Sequence, residues 1–442
     1  MIDYELAIHI IDVIIIGSII VMLSVAWYYI GYFLISLRKI PEVPHSDKYT
    51  KFAVLVPARN ESKVIHNIIK ALKAQSYPKE YFDVWFITER EDDPTNKIAE
   101  KNHFHYFVRD QLTPERRTKG YALDECIQYF KRENLIYDAY MIFDADNVME
   151  KDFISKMNDL RQTGVQVGTG YRNFTNASTN WLTCCSATLF TYMNTFTSRG
   201  RTILFKKATL SGTGYYIDRQ VIDDAGGWIF NGLTEDTELT GYCYYHDVCM
   251  RYYPLAVFYD EQTPSMRVAH SQQIRWVWGY FYDKEKVKKN KDKVNYHTLS
   301  DAKHKAAMFE YKTGIVPFAA TMVANFFLIV ISIILAILSF WQSPTHTFEL
   351  WIHVLYQFLV LYGFYFFLAL VVIIHDRKSL KFNVATTLWA CTTYCFYFIM
   401  LLFAAIDGFI RPKKRKTWVP IKHTGDITNK AADKAVKRKQ HK

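Results

Sequence analysis

Four long apolar runs constrain this chain more than any other feature, one near its start and three in its last third. Leu6 to Ile35 reads LAIHIIDVIIIGSIIVMLSVAWYYIGYFLI. About 20 apolar residues span a bilayer, so this stretch suffices for one tilted crossing and not for two. It lacks the basic start and small-residue cleavage site of a signal peptide. Acidic Asp3 and Glu5 precede it and basic Arg38 and Lys39 follow it, which places the N-terminus outside and residue 40 in the cytosol. The later runs cover Gly314–Trp341, Leu350–His375 and Val384–Ile410. Gln342–Glu349 carries no Lys or Arg and is expected outside, whereas Asp376–Asn383 (DRKSLKFN) is expected inside.

Three full C-terminal crossings would carry the end of the chain outside. Yet Arg411–Lys442 holds twelve Lys/Arg against two Asp, a net +10 of the chain's +11. Basic segments stay in the cytosol. Either one run lies in the interface or re-enters, or the tail breaks the rule; the expectation is a cytosolic tail. Such a tail suits an anionic membrane surface, with a simply solvated tail as the alternative. The nearly neutral body excludes a nucleic-acid-binding domain, which needs its charge on a folded face. The seven cysteines form no C-x-x-C pair, and the fourteen histidines form no H-E-x-x-H. Zinc-ribbon, thioredoxin and zinc-protease chemistry are thereby set aside. There is no P-loop, no G-x-S-x-G elbow and no internal repeat.

Between the apolar ends, residues 50–276 alternate short apolar strands with helical patterns. Phe52–Val56, Val84–Thr88 and Ala139–Phe143 read as strands. Helices are expected over Ser62–Ala74, up to Lys101, and over Tyr121–Lys131. Such alternation predicts a mostly parallel α/β sheet, which binds ligands at the carboxyl ends of its strands. Ser300–Tyr311 reads as a helix along the membrane surface.

Four segments carry chemistry. Asp144-Ala145-Asp146 follows the third strand directly, and two carboxylates at i, i+2 in extended chain point the same way. A hard cation such as Mg²⁺ or Mn²⁺ takes such oxygens together with phosphate oxygens. Thr234-Glu235-Asp236 follows a Gly/Trp loop, and Thr234 is placed to cap a helix whose first turn carries the two acids. Gln272-Gln273-Ile274-Arg275-Trp276 sets a guanidinium beside an indole, which suits a phosphate next to a stacked sugar. Leu210-Ser211-Gly212-Thr213-Gly214 allows close backbone approach to a ligand. Singly, each has a bland reading as a turn, a helix start, an interfacial helix or a loop.

In order and spacing, D-x-D, T-E-D and Q-x-x-R-W resemble the family 2 processive glycosyltransferases: cellulose, chitin, hyaluronan and poly-N-acetylglucosamine synthases and nodulation chitin-oligosaccharide synthases. The resemblance implies a Rossmann-like mixed-sheet α/β GT-A catalytic domain in the cytosol plus an α-helical transmembrane bundle. It divides the chain into an N-terminal membrane helix and linker (1–40), the GT-A domain (41–282), interfacial helices (283–313), C-terminal membrane helices (314–411) and the basic tail (412–442). Pro57, Asn60 and Glu61 match the P-x-x-N-E segment of the nucleotide pocket. Glu89 stands where the family has an acid, usually Asp, against the uridine, and Asp93 is the next acid of that loop. Lys119 opens a K-G-x-A-L segment near the diphosphate. Asp144 and Asp146 would hold the diphosphate and its metal, Asp236 would be the general base with Glu235 beside it, and Gln272 and Arg275 would bind pyrophosphate. Trp276, with Gly212, Thr213 and Gly214, would form the acceptor site. Trp418–Lys422 loosely resembles the gating segment of cellulose synthases.

The implied enzyme is a multi-pass plasma-membrane hexosyltransferase. It would polymerise UDP-glucose or UDP-N-acetylglucosamine with Mg²⁺ or Mn²⁺ and move the growing polysaccharide across the bilayer. The lipid bilayer and accessory export subunits are its expected partners, and nucleic acid is not. Two rivals stand beside it: a non-processive enzyme glycosylating a lipid carrier or glycolipid, and a non-catalytic export or scaffold subunit.

Overall fold

A computed structural model describes residues 4–289, 296–313, 316–341 and 343–412. The chain opens with α1 (Tyr4–Ser36), then β1 (Phe52–Pro57), α2 (Ile65–Lys73), β2 (Phe82–Thr88), α3 (Pro94–Lys101), β3 (His105–Val108), α4 (Lys119–Arg132) and β4 (Ala139–Ile142). There follow β5 (Val148–Met149), α5 (Phe153–Gln162), β6 (Val167–Phe174), α6 (Trp181–Tyr192), α7 (Arg199–Phe205), β7 (Tyr215–Asp218), α8 (Arg219–Asp224), α9 (Glu235–Tyr245) and β8 (Met250–Asp260). Helices α10 (Met266–Lys289), α11 (Asp301–Thr313), α12 (Val316–Ser339), α13 (Pro344–His375), α14 (Arg377–Leu380) and α15 (Val384–Ile410) complete it.

The strands form one sheet in the order β3-β2-β1-β4-β7-β6-β8-β5. β1 is apolar throughout because both its faces are covered. Phe52, Val54 and Val56 enter the layer under α2, and Ala53 and Leu55 enter the layer under α4, the period-two alternation of a strand. The half β3-β2-β1-β4 is parallel, and β7 joins β4 and β6 antiparallel, so the sheet is mixed, as the resemblance implied. Because β1 lies between β2 and β4, a crevice opens outside the carboxyl ends of β1 and β4.

Three local expectations are corrected. α4 starts two residues earlier than expected, at Lys119, because the Thr118 hydroxyl accepts the Tyr121 N–H (3.4 Å) and caps it. The helical stretch of α6, a π-helical turn (Met193–Ser198) and α7 had not been expected. Leu182 through Thr188 are all buried, so this segment has no polar face from which a 3.6-residue period could be read. The expected boundary at residue 282 falls inside α10.

Among the described residues, α13 and α15 are long and apolar enough to cross a membrane. The apolar stretches described within α1 and α12, Ile8–Gly17 and Val323–Ser339, are shorter. α1, α12 and α13 pack together through Ile8, Ile11, Ile15, Ala336 and Leu350, with His353 Nε2 2.9 Å from Asp12 Oδ1. At its other end α13 shares a core with α6 and α15. Helix α11 covers the expected Ser300–Tyr311 stretch to within two residues. The basic tail and Trp418–Lys422 lie outside the described residues.

Candidate active site

The D-x-D pair leaves the sheet at the carboxyl end of β4, after Phe143 donates its N–H to Leu55 O (3.1 Å). The Asp144 N–H donates to Thr213 Oγ1 (3.0 Å), and the Thr213 hydroxyl donates to Asn147 Oδ1. The buried Asn147 amide donates to Asp146 Oδ1 and to Asp260 Oδ1, both at 3.1 Å. The turn is therefore fixed from beneath. Lys119 reaches over it from the first turn of α4, donating to Asp144 Oδ1 (2.5 Å) and Gly212 O (2.6 Å) and lying 3.8 Å from Glu235 Oε1.

The glycine loop is shaped by two positive φ angles. At Gly214 (φ +67°) a Cβ would run into the Phe258 ring at 2.0 Å, so only glycine fits. At Gly212 (φ +83°) a Cβ would meet only Asp236 Oδ2, at 3.6 Å, so the loop backbone faces that carboxylate across open space. Lys119, Asp144, Asp146, Gly212, Thr213, Gly214, Glu235 and Asp236 are thus brought together, as their motifs implied.

Glu235 and Asp236 sit in the first turn of α9, but Thr234 does not cap it as expected. Its N–H and hydroxyl donate instead to Asp283 Oδ2 on α10 (3.0 and 2.6 Å). A second tie joins the same elements: Glu238 accepts the Gly232 N–H (2.8 Å) and pairs with Lys286 (2.6 Å). The T-E-D turn is therefore locked to the helix that carries Q-x-x-R-W. On that helix neither Gln272 nor Arg275 makes a side-chain hydrogen bond or ion pair among the described residues. Burial lowers the Arg275 pKa, opposed by the Glu235 carboxylate facing it. The unspent Arg275 guanidinium, within electrostatic reach of Glu235, suits an anionic ligand.

Trp276 meets the Phe190 ring edge-on (5.8 Å, 86°) and lies at the margin of the core shared by α6, α13 and α15. Tyr215, Tyr216, Trp228, Phe230 and Tyr244, which border the same motifs in sequence, are core residues and have no face for a sugar.

Burial raises the pKa of both Glu235 and Asp236. For Glu235 this is opposed by Lys119; for Asp236 it is opposed by the hydrogen bond from the Thr237 N–H, then by Lys119 and Arg172. Burial disfavours the Lys119 ammonium, but Asp144 and Glu235 outweigh it and its pKa rises. A base with a raised pKa is lost as pH falls through that raised value. The acid limb of kcat/KM is therefore expected above the ordinary Asp value of about 3.9. A pH profile with an unshifted acid limb would contradict this.

The other proposed nucleotide residues lie at the carboxyl ends of β1 and β2. Pro57 ends β1, Asn60 adopts a left-handed conformation (φ +59°), and the Glu61 carbonyl accepts the Val64 N–H (3.0 Å). Glu89 is flanked by Arg59 (3.0 Å) and Arg109 (3.7 Å), and Arg109 also grips the buried Glu125 (2.8 Å). Asp93, the next acid of that loop, is buried, and its carboxylate caps α3 by accepting the Thr95 N–H (2.9 Å).

Sequence reasoning missed Arg172 and Asp260. Arg172 donates to Asp260 Oδ2 (2.5 Å) and to Ser211 O (2.8 Å), with its guanidinium 4.1 Å from the Phe190 ring centroid. It joins the D-x-D support, the glycine loop and the neighbour of Trp276. Its signal was a lone charge within the strand VGTGYRNF, every residue of which is buried. Asp260, at the end of β8, had none.

No group of three or more His, Cys, Asp or Glu among the described residues could cage a metal by itself. The donor set nevertheless fits Mg²⁺ or Mn²⁺, which keep few protein carboxylates and complete their shell with phosphate oxygens and water. The half-exposed Asp144 and Asp146, on a turn fixed by Asn147, are such a pair.

Residues 50–279 match the model of the family described as "Glycosyltransferase like family 2". The chain is 31% identical over 261 residues to a protein of Bacillus subtilis described as "Probable glycosyltransferase YdaM", covering 55% of this chain and 59% of that one. It is 28% identical over 239 residues to a beta-monoglucosyldiacylglycerol synthase of Nostoc (51% and 48%). It is 25% identical over 262 residues to a poly-beta-1,6-N-acetyl-D-glucosamine synthase of Staphylococcus aureus (58% and 60%). The chain thus spans about half to three-fifths of the length of these relatives. The mannosyltransferase PcManGT of Pyrobaculum calidifontis, solved with GDP-Man and Mn²⁺, shares its fold, with a TM-score of 0.53 over 90% of this chain and 99% of that one at 14% identity.

Proposed function

The chain belongs to glycosyltransferase family 2, and on that footing we propose that it transfers a hexosyl group from a UDP-sugar with inversion, extending a β-linked polysaccharide at the membrane face. The observation that carries this is the convergence of Lys119, Asp144, Glu235 and Asp236 under the Gly212–Gly214 loop, tied through Asp283 to the helix of Arg275 and Trp276.

In this reading the donor's nucleotide lies along Pro57, Asn60, Glu61 and Glu89, with its diphosphate between Asp144, Lys119, Gln272 and Arg275. An acceptor hydroxyl over Gly212 attacks the sugar C1 from the face opposite the diphosphate. Asp236 takes the hydroxyl proton as the new C1–O bond forms, and the C1–O bond to the diphosphate breaks, its oxygen and electron pair leaving as UDP. Lys119 and Arg275 neutralise the charge that develops on the leaving diphosphate. A divalent cation held by Asp144 and Asp146 would supply further Lewis-acid stabilisation there. A single displacement turns an α-linked donor into a β-linked product. Membrane residence, with the catalytic domain in the cytosol, rests on the apolar helices α13 and α15 and on the synthase relatives.

A glycolipid product is the second reading. It is favoured by the Nostoc relative's description and by the edge-on packing of Trp276, which leaves less of the ring for a polymer end. Product size decides between them. If Trp276 holds the polymer end, stacking of about 1–3 kcal/mol per ring, by analogy with bases on aromatics, makes Trp276→Ala retain the chain about 5- to 150-fold less. The product then shortens while UDP-sugar binding survives. Unchanged product length per folded enzyme, or a single sugar on lipid from the unmodified protein, would favour the glycolipid reading.

A further inference from the structure

We infer that α15, despite its length and apolarity, does not cross the bilayer but lies along its cytosolic face, seated on the catalytic domain with its outer side against lipid. This rests on the membrane reading above.

The 27 residues of α15 extend about 40 Å at 1.5 Å per residue. A crossing helix would carry its far end about 30 Å from the domain that holds its near end. Here both ends are held by the same α/β domain. Just before α15, Asn173 at the end of β6 donates to Ser379 O (3.2 Å), and Leu380 is buried in one cluster with Phe174. Along its course, Cys185 Sγ of α6 lies 3.3 Å from Thr393 Oγ1. At the far end, His270 Nε2 of α10 is 3.1 Å from Asp407 Oδ2, and Trp278 Nε1 donates to Ala405 O (3.1 Å). The approach is so close that a Cβ on Gly408 would meet the Trp278 ring nitrogen at 2.2 Å.

The side turned away is apolar. At about 100° per residue, the exposed Leu388, Trp389, Phe396, Phe403 and Ile410 fall within an arc of about 100°, which the exposed Val384 and Phe409 widen to about 160°. This arc is continuous with the apolar surfaces of α12 and α13, through Phe403 on Phe326 (6.0 Å) and Phe396 on Tyr362 (6.5 Å). That continuity makes lipid its occupant. With α1, α12 and α13 as the crossings, the end of α15 stays on the catalytic side, which removes the conflict with the basic tail.

The test uses full-length protein carrying Cys249→Ser and one added cysteine, in oriented membrane vesicles. The six other native cysteines are buried. Glu100→Cys marks the catalytic domain, Trp341→Cys the turn between α12 and α13, and Pro412→Cys the end of α15. An impermeant thiol reagent should label residue 412 together with residue 100, from the side opposite to 341. Labelling of 412 together with 341 would overturn the in-plane helix while leaving the membrane reading intact. Labelling of all three from one side would overturn both. In proteoliposomes, fluorophores at Leu388→Cys, near the start of α15, and Phe396→Cys, at its middle, should be quenched equally and at shallow depth by nitroxide lipids. Unequal depths mean a crossing, and no quenching at either site means a protein rather than lipid covers this face; each result overturns the inference.

Discussion

Asp236→Asn is expected to reduce turnover by about 10²–10⁴, the range for losing a general base, while UDP-sugar binding stays within a few-fold. The geometry separates the two effects. Asp236 faces the open side of Gly212, where an acceptor hydroxyl would lie, and its Oδ1 accepts the Thr237 N–H (2.8 Å). The groups assigned to the diphosphate, Lys119 and Asp144, pair with each other and do not depend on Asp236 for their positions. Asparagine keeps the shape and the hydrogen bond to Thr237 but cannot take a proton. Turnover and donor affinity, measured by UDP release and by equilibrium titration with a UDP-sugar, check this. Collapse of donor binding in this variant would mean that Asp236 builds the pocket rather than activating the acceptor. The neighbour gives a second check. Glu235 lies 3.8 Å from Lys119 and faces Arg275, so Glu235→Gln should weaken the diphosphate end of the site more than the proton transfer.

Chelation with EDTA should abolish UDP release, and Mg²⁺ or Mn²⁺ should restore it. The leaving diphosphate carries more charge than one ammonium and one guanidinium can balance, and the Asp144 carboxylate already pairs with that ammonium. Without a divalent cation, Lys119 stays committed to Asp144, and the diphosphate charge stays unbalanced. Asp146→Asn should raise the metal concentration needed for half-maximal rate. Near-UV circular dichroism should be preserved, because Asn147 also holds Asp260 and keeps the turn in place. Full turnover in EDTA-treated protein would overturn the assignment of the D-x-D pair.

The sequence was most legible where local chemistry repeats a pattern. The apolar β1, with neighbours alternating between two core layers, and the carboxylates directly behind the third expected strand could be placed without coordinates. So could the order of D-x-D, T-E-D and Q-x-x-R-W along the chain. Less was legible where a residue's role depends on a partner far away in sequence. Thr234 looked like a cap because helix starts favour threonine, but Asp283, 49 residues on, takes its hydroxyl. Asp93 read as the next acid of the Glu89 loop, and only the structure shows its carboxylate capping the turn that starts α3. Arg172 was overlooked because its partners, Asp260 and the Ser211 carbonyl, come from segments 88 and 39 residues away.

By itself, then, the sequence determined the α/β class of the middle of the chain, the apolar character of its ends and which segments carry the side chains proposed for the chemistry. These follow from hydrophobic period, run length and side-chain chemistry, all of which are local. Only the tertiary structure decided that the sheet turns antiparallel at β7 and that Lys119 bridges Asp144 to the glycine loop. It also decided that the T-E-D turn is bolted to α10, and that α15 keeps both its ends on the catalytic domain. Each of these depends on contacts between distant segments. A buried polar group takes whichever partner the packing brings within about 3 Å, and a local pattern carries no record of that choice.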